Sequence, residues 1–146
     1  MKGAEMNYFR GKKVFITGGS SGIGEAAAQL LASWGAHVWI AARGEAKLEA
    51  ALEGISARAL DGSQVFGYTA LDVSDKASVK AATQAVLSGL GGLDILINNA
   101  GIAHPATVLE TPDEVFDSMM QVNYFGTVNV TRSLLPHFYA QKSGHV

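Results

Sequence analysis

The segment Thr17-Gly18-Gly19-Ser20-Ser21-Gly22-Ile23-Gly24 constrains the fold more than any other part of this chain. It follows the apolar run Val14-Phe15-Ile16 directly and runs straight into the alanine-rich stretch Glu25 to Leu31. A buried strand, a glycine turn and the start of a helix therefore succeed one another without a gap. Glycines let a backbone turn sharply and approach a ligand closely, while the free N–H groups and dipole of a helix N-terminus favour negative charge. That order suits a dinucleotide pyrophosphate. Gly18, Ser20, Ser21, Gly22, Ile23 and Gly24 are thus candidate cofactor-binding residues.

The rest of the chain alternates in the same way. Lys13 to Thr17 reads as a first strand and Ser21 to Trp34 as a helix ending at Gly35. Val38 to Ala42 is a short continuous apolar run, the pattern of a parallel strand covered on both faces. Glu45 to Ala57 sets Leu48, Ala51, Leu52 and Ile55 at helical spacing, and Gln64 to Leu71 reads as a third strand. Lys76 to Leu87 is a helix with Val79, Ala82 and Val86 on one face and Gly89 just past its end; Leu93 to Asn98 is a fourth strand. In Thr111-Pro112-Asp113-Glu114 a Thr N-cap, a first-turn Pro and a Glu three residues after the cap start another helix. It is expected to run to about Ala140 with a kink at Pro136, burying Phe116, Met119 and Met120.

This succession predicts the α/β class: a Rossmann doubly wound parallel sheet with helices on both faces. No repeat or linker divides the chain. Gly144-His145-Val146 lies where a fifth strand is due, so residues 1–146 read as the N-terminal, cofactor-binding part of a single Rossmann domain, truncated before that strand.

Composition narrows the function classes. A net charge of −2 without a basic cluster argues against nucleic acid as a partner. The absence of cysteine removes disulfides, thiolate nucleophiles and cysteine metal sites, and it fits a cytoplasmic setting. No run approaches a membrane span, and Met1 to Lys12 lacks the apolar core of a signal peptide. His37, His104, His137 and His145 show no metal-ligand spacing, so no metal is expected; His104 sits in a loop that reads as plain surface.

Ligands bind such sheets at the C-terminal ends of the strands. Where NAD-preferring folds place an acid after the second strand, this chain has Ala42, then Arg43, with Lys47 one turn on. A carboxylate would repel a 2′-phosphate, whereas a guanidinium binds it through paired charge-assisted bonds. The cofactor expected is therefore NADP(H). Asp72 and Val73 follow the third strand, and Asn99, Ala100 and Gly101 the fourth. Asp72 suits the adenine amino group and the Asn99 segment the cofactor ribose; helix capping by Asp72-Val73-Ser74-Asp75 and an ordinary Asn-Gly turn are the plainer alternatives. Asn123 and Gly126, both poor helix formers, stand inside the last helix and mark a bend, a functional need or a tolerated defect.

Together, Thr17-Gly18-x-x-x-Gly22-x-Gly24, Asp72, Asn98-Asn99-Ala100-Gly101 and Asn123 resemble the short-chain dehydrogenase/reductase family from about residue 11 to the end. The resemblance implies hydride transfer between a nicotinamide and a small-molecule carbonyl or alcohol, and a homo-oligomer paired through its long helices. It makes Asn123 a catalytic residue, whose main-chain carbonyl would hold a water linking a catalytic lysine to solvent. More narrowly, Gly18-Gly19-Ser20-Ser21-Gly22, Ala42-Arg43-x-x-x-Lys47-Leu48 and Asn123-Tyr124-Phe125-Gly126 are similar to the 3-ketodihydrosphingosine reductases, implying a 3-keto lipid substrate.

The chain departs from the family in one respect. The family's catalytic Ser, which belongs at the end of the fifth strand, and its Tyr-x-x-x-Lys beyond that are absent. Tyr8-Phe9-Arg10-Gly11-Lys12 matches the second by letter, but it precedes the first strand and is not expected to be catalytic. The expectation is an NADP(H)-dependent reductase whose present residues bind cofactor without turnover. The competing readings are a non-catalytic dinucleotide-binding module or sensor, and an enzyme that prefers NAD.

Overall fold

A computed structural model describes residues 8–146. Residues 1–7, within the segment screened for a signal peptide, lie outside the described residues. Four parallel strands form one sheet: β1 (Lys13–Thr17), β2 (His37–Ala42), β3 (Phe66–Ala70) and β4 (Ile95–Asn98), in the order β3-β2-β1-β4. The order reverses beside β1, so the crevice above β1 and β4 is the place where such sheets take ligands.

Side chains alternate across each strand, and both faces are apolar. Phe15, Ala41 and Leu96 point to one face. There they are covered by α3 (Lys76–Leu90) and α5 (Gly126–Gln141) through Val79, Val86, Val130 and Leu134. Val14, Ile16, Val38 and Ile40 point to the other face, against α1 (Gly22–Ser33) and α2 (Glu45–Ser56) through Ala28, Leu31, Leu48 and Ile55. The continuous apolar strands thus report two-sided burial, as expected.

Several boundaries shift, each for a physical reason. The third strand begins later than Gln64 because the Gln64 side chain ties a loop to α1. Its Oε1 accepts from the N–H groups of Leu60 (2.6 Å) and Asp61 (3.1 Å), and its Nε2 donates to the carbonyls of Ala32 (2.8 Å) and Ala36 (2.7 Å). Helix α3 continues through Gly89 to Leu90, and the left-handed cap is Gly91 (φ 64°). Gly89 lacks a Cβ for packing rather than for capping, since a Cβ there would strike the Trp39 ring. Thr111 is not an N-cap: its hydroxyl donates to the Thr107 carbonyl (2.8 Å), closing a short 3-10 turn at Val108–Glu110. The helix starts one residue after Pro112, as α4 (Asp113–Met119).

Between α4 and α5 the chain makes a π-helical segment, Met120–Phe125. The Asn123–Gly126 irregularity is therefore a real departure from α geometry. Gly126 also permits close contact with the segment after β3, because a Cβ would approach Val73 Cγ2 to 2.5 Å. Phe116 and Met120 are not buried as expected; they are 41% and 50% exposed, and the sheet is covered instead by Val130, Leu134 and Phe138 of α5. Pro136 is accommodated inside α5. Beyond β4, His145 bridges Ile95 in parallel register, with Leu96 N–H donating to the His145 carbonyl (2.9 Å) and His145 N–H to the Asp94 carbonyl (3.0 Å). Strand pairing thus resumes where a fifth strand was expected.

Replacing Gln64 by Ala deletes four hydrogen bonds at once. At about 1 kcal/mol net for the better ones, a loss of roughly 1–3 kcal/mol is expected. Urea unfolding should show a lower midpoint at unchanged slope.

Candidate cofactor-binding cleft

A cleft of about 1140 Å³ runs along the C-terminal ends of the strands. The turn after β1 contributes Gly18, Ser20, Ser21 and Ile23; the end of β2 contributes Ala42, Arg43 and Lys47. Asp72, Val73 and Ser74 follow β3, and Asn99, Ala100 and Gly101 follow β4. Eleven residues expected at the site from sequence are thereby brought to one surface. Gly22, Gly24 and Asn123 do not line it.

Those three act from behind. Gly22 adopts φ 57° in the turn. Gly24 is buried, and a Cβ on it would collide with the Gly18 carbonyl oxygen and the Asn99 side chain. Asn123 clamps the loop after β4: its Oδ1 accepts from Ile102 N–H (2.8 Å) and its Nδ2 donates to the Ile102 carbonyl (2.9 Å). The Asn123 main-chain carbonyl accepts from the Thr127 hydroxyl (3.1 Å).

The glycine turn is locked to β4. Thr17 Oγ1, almost fully buried, accepts from the N–H groups of Asn99 and Ala100, both at 3.1 Å. Asn99 Nδ2 returns bonds to the carbonyls of Thr17 and Gly18, each 3.1 Å. Gly18 (φ 68°) has no room for a Cβ, which would meet Ala100 Cα at 2.9 Å. The Ser21 side chain makes no cap on α1. The first-turn N–H groups of α1 therefore have no side-chain acceptor among the described residues, as an anion site requires.

Arg43 and Lys47 are exposed in the cleft wall, and neither pairs with a carboxylate among the described residues, where the ion pair is Arg10–Asp61. Asp72 Oδ1 accepts from the Ser74 hydroxyl (2.6 Å) and the Ser74 N–H (2.9 Å). The helix cap in this segment is Asp75, which accepts from Ala77 N–H (2.9 Å). Asp72 is therefore not spent on capping α3. The Ser74 hydroxyl first, then the Ser74 N–H, hold the Asp72 carboxyl below its ordinary 3.8, with the Arg43 charge assisting against partial burial.

A depressed carboxyl contributes stability above its unfolded-state value and loses it as pH falls through the folded-state value. For Asp72 that window opens below 3.8. Ser74→Ala should raise the Asp72 midpoint, and acid unfolding should begin at a higher pH. Carboxyl NMR against pH, with a parallel unfolding curve, measures both.

Sequence reasoning missed Asp117, Ser118, Gln121 and Val122, which line the cleft from α4 and the π-helical segment. Their spacing, i, i+1, i+4 and i+5, marks one helical face, but only the fold shows that this face overhangs the cleft. The Tyr8/Lys12 pair lies at the opposite, N-terminal ends of the strands. Tyr8 OH bonds His145 Nε2 (2.8 Å) and Lys12 Nζ sits 5.6 Å from the Tyr8 ring centre. No metal-holding cluster occurs among the described residues, and no helix there is long and apolar enough to cross a membrane.

Comparison with known proteins agrees with this geometry. Residues 12–146 match the short chain dehydrogenase family. The chain is 38% identical over 137 residues to the Mus musculus dehydrogenase/reductase SDR family member 7, covering 91% of this chain and 39% of that protein. It superposes on the 3-ketoacyl-(acyl-carrier-protein) reductase from Brucella melitensis complexed with NADH, with TM-score 0.82 and 39% identity, over 91% of this chain and 52% of that one. An F189W actinorhodin polyketide ketoreductase with NADPH gives TM-score 0.82 at 28% identity, over 91% and 51%. The chain thus spans about half the length of these solved structures, and less of the curated relative. The curated relatives carry the names SDR family member 7 and 7B, so they support the family and not the narrower kinship with 3-ketodihydrosphingosine reductases.

Proposed function

The chain belongs to the short-chain dehydrogenase/reductase family, and from that premise we propose that it supplies the dinucleotide-binding part of an NADP(H)-dependent ketone reductase. The observation that carries the cofactor preference is the end of β2. Ala42 stands where an acid would, and Arg43 and Lys47 enter the cleft without an ion pair among the described residues, Arg43 acting on Asp72 only at longer range. A 2′-phosphate would supply the missing anion.

The residues fit the group in other respects. The first turn of α1 and the Cβ-free approach at Gly18 suit a pyrophosphate. Asp72 Oδ2 accepts no hydrogen bond among the described residues and remains open to an adenine amino group. Asn99, Ala100 and Gly101 would border the ribose. A bound nicotinamide would supply hydride chemistry, and Asn123 holds the loop after β4 through Ile102. A 3-keto sphingoid base is the narrower substrate reading. Self-association would use the long helical stretch that begins after Thr111, along which Phe116, Met120 and Tyr139 are exposed.

Acid–base chemistry on the substrate oxygen needs a group that the cleft does not contain: no Tyr-x-x-x-Lys follows β4 in the sequence. The 146-residue chain mixed with NADPH and 3-ketodihydrosphingosine, or with a simple ketone, should bind dinucleotide without consuming it. Sustained, protein-dependent loss of NADPH absorbance would contradict that division of labour.

A further inference from the structure

A second cleft, about 670 Å³, lies between α3 and α5 on the face of the sheet that α3 covers. It meets the first along Ser74 and Gln121, which line both. Lys76 and Lys80 stand on one wall, one helical turn apart and so on one side of α3. Arg132 of α5 lines it as well, and the apolar lining is Val79, Phe125 and Val128.

No carboxylate lines this groove, and none of its cations is in an ion pair among the described residues. Of its neutral polar groups, Ser74, Asn129 and Ser133 are already engaged. Asn129 Nδ2 donates to the Val73 carbonyl (3.1 Å), and Ser133 Oγ bonds Thr83 Oγ1 (2.8 Å). The three cations and the Gln121 amide are therefore the groups left without a partner among the described residues. Their placement also runs against local helix preference. Lys76 is the first residue of α3, where the macrodipole disfavours positive charge; the acid beside it is the Asp75 cap, which accepts from Ala77 N–H (2.9 Å).

We infer that this groove docks a carboxylate-rich helical segment of a partner protein, its acids meeting Lys76, Lys80 and Arg132 and an apolar side chain resting on Phe125. Phe125 is 43% exposed and offers the apolar contact. A small anion would be held at one point, whereas these cations are spread over two helices. Nucleic acid would require a longer cationic track and a row of stacking aromatics, and the chain carries a net charge of −2. The inference does not depend on the dinucleotide assignment.

The test is a fluorescence-anisotropy titration of the 146-residue chain with a labelled helical peptide of alternating Glu pairs and Leu, and with the same peptide carrying Gln for Glu. The Glu peptide should bind, the Gln peptide should bind at least about tenfold more weakly, and raised salt should weaken the Glu complex. The triple variant Lys76→Gln/Lys80→Gln/Arg132→Gln should lose about tenfold or more in affinity, while an Arg10→Gln/Lys12→Gln/Arg58→Gln control loses little. Lys76→Glu/Lys80→Glu/Arg132→Glu should bind a Lys version of the peptide, which shows that the altered groove is folded. Equal binding by the first triple variant and the wild type would overturn the inference. So would full displacement of the peptide by tripolyphosphate or an oligonucleotide at equal concentration. Sedimentation showing a wild-type dimer that the triple variant loses would assign the groove to a second copy, and would likewise overturn it.

Discussion

Gly24→Ala is expected to weaken NADPH binding by about a hundredfold, close to 2.7 kcal/mol, and to lower thermal stability as well. The added Cβ would fall on the Gly18 carbonyl oxygen and the Asn99 side chain, and neither can swing aside. Gly18 is held by its N–H bond to the Ala41 carbonyl (2.7 Å), and Asn99 by bonds to Thr17 and Gly18. Room can be made only by moving the start of α1 away from the turn, which spoils the anion site. Overpacking of this kind costs roughly 1–3 kcal/mol before any hydrogen bond is lost. Gly22→Ala is the control, because a Cβ there meets nothing within 4 Å and bears only the left-handed φ of 57°, a cost of about 1–2 kcal/mol. Titration by nicotinamide fluorescence and a melting curve report the two effects separately. If Gly24→Ala bound NADPH like the wild type, the close approach of turn and helix would not be what shapes the cleft.

Arg43→Asp is expected to raise the NADPH dissociation constant by about thirtyfold or more while leaving NADH binding unchanged or improved. Truncating one partner of a charge-assisted pair costs roughly 2–5 kcal/mol when the pair is buried. Arg43 is exposed, so the lower end applies, and the new carboxylate adds repulsion against a phosphate. Toward NADH the same carboxylate could accept from the ribose hydroxyls. The change should also flatten the salt dependence of NADPH binding, since a screened charge pair has been removed. Asp72 gives an independent readout. Arg43 helps to hold its carboxyl low, so the variant should shift its NMR titration upward even without cofactor. Unchanged NADPH affinity alongside a shifted Asp72 would show that Arg43 faces Asp72 but not the 2′-phosphate.

Much of this site is legible in the sequence because it is built from strand ends, and strands announce themselves by continuous apolar runs. Val14-Phe15-Ile16 fixes where the glycine turn must stand, and the same logic places Arg43, Asp72 and Asn99 at one sheet edge. What stays hidden depends on side chains that act at a distance in sequence. Gln64 looks like a strand residue until its amide is seen bridging Leu60, Asp61, Ala32 and Ala36. Gly89 resembles a helix stop, yet it is there because Trp39 lies against it. The apolar residues Phe116 and Met120 suggest burial, but the π-helical segment at Met120–Phe125 separates α4 from the sheet-facing stripe of α5. The cleft wall formed by Asp117, Ser118 and Gln121 was missed for the same reason, since residue types show neither a π-helical turn nor the face it redirects.

The central claim is that the end of β2 selects a phosphorylated dinucleotide. It is tested most directly by titrating the wild-type 146-residue chain with NADPH and NADH under identical low-salt conditions. The account predicts NADPH tighter by about tenfold or more, the equivalent of roughly 1.4 kcal/mol. NADH binding equally well or better would contradict it.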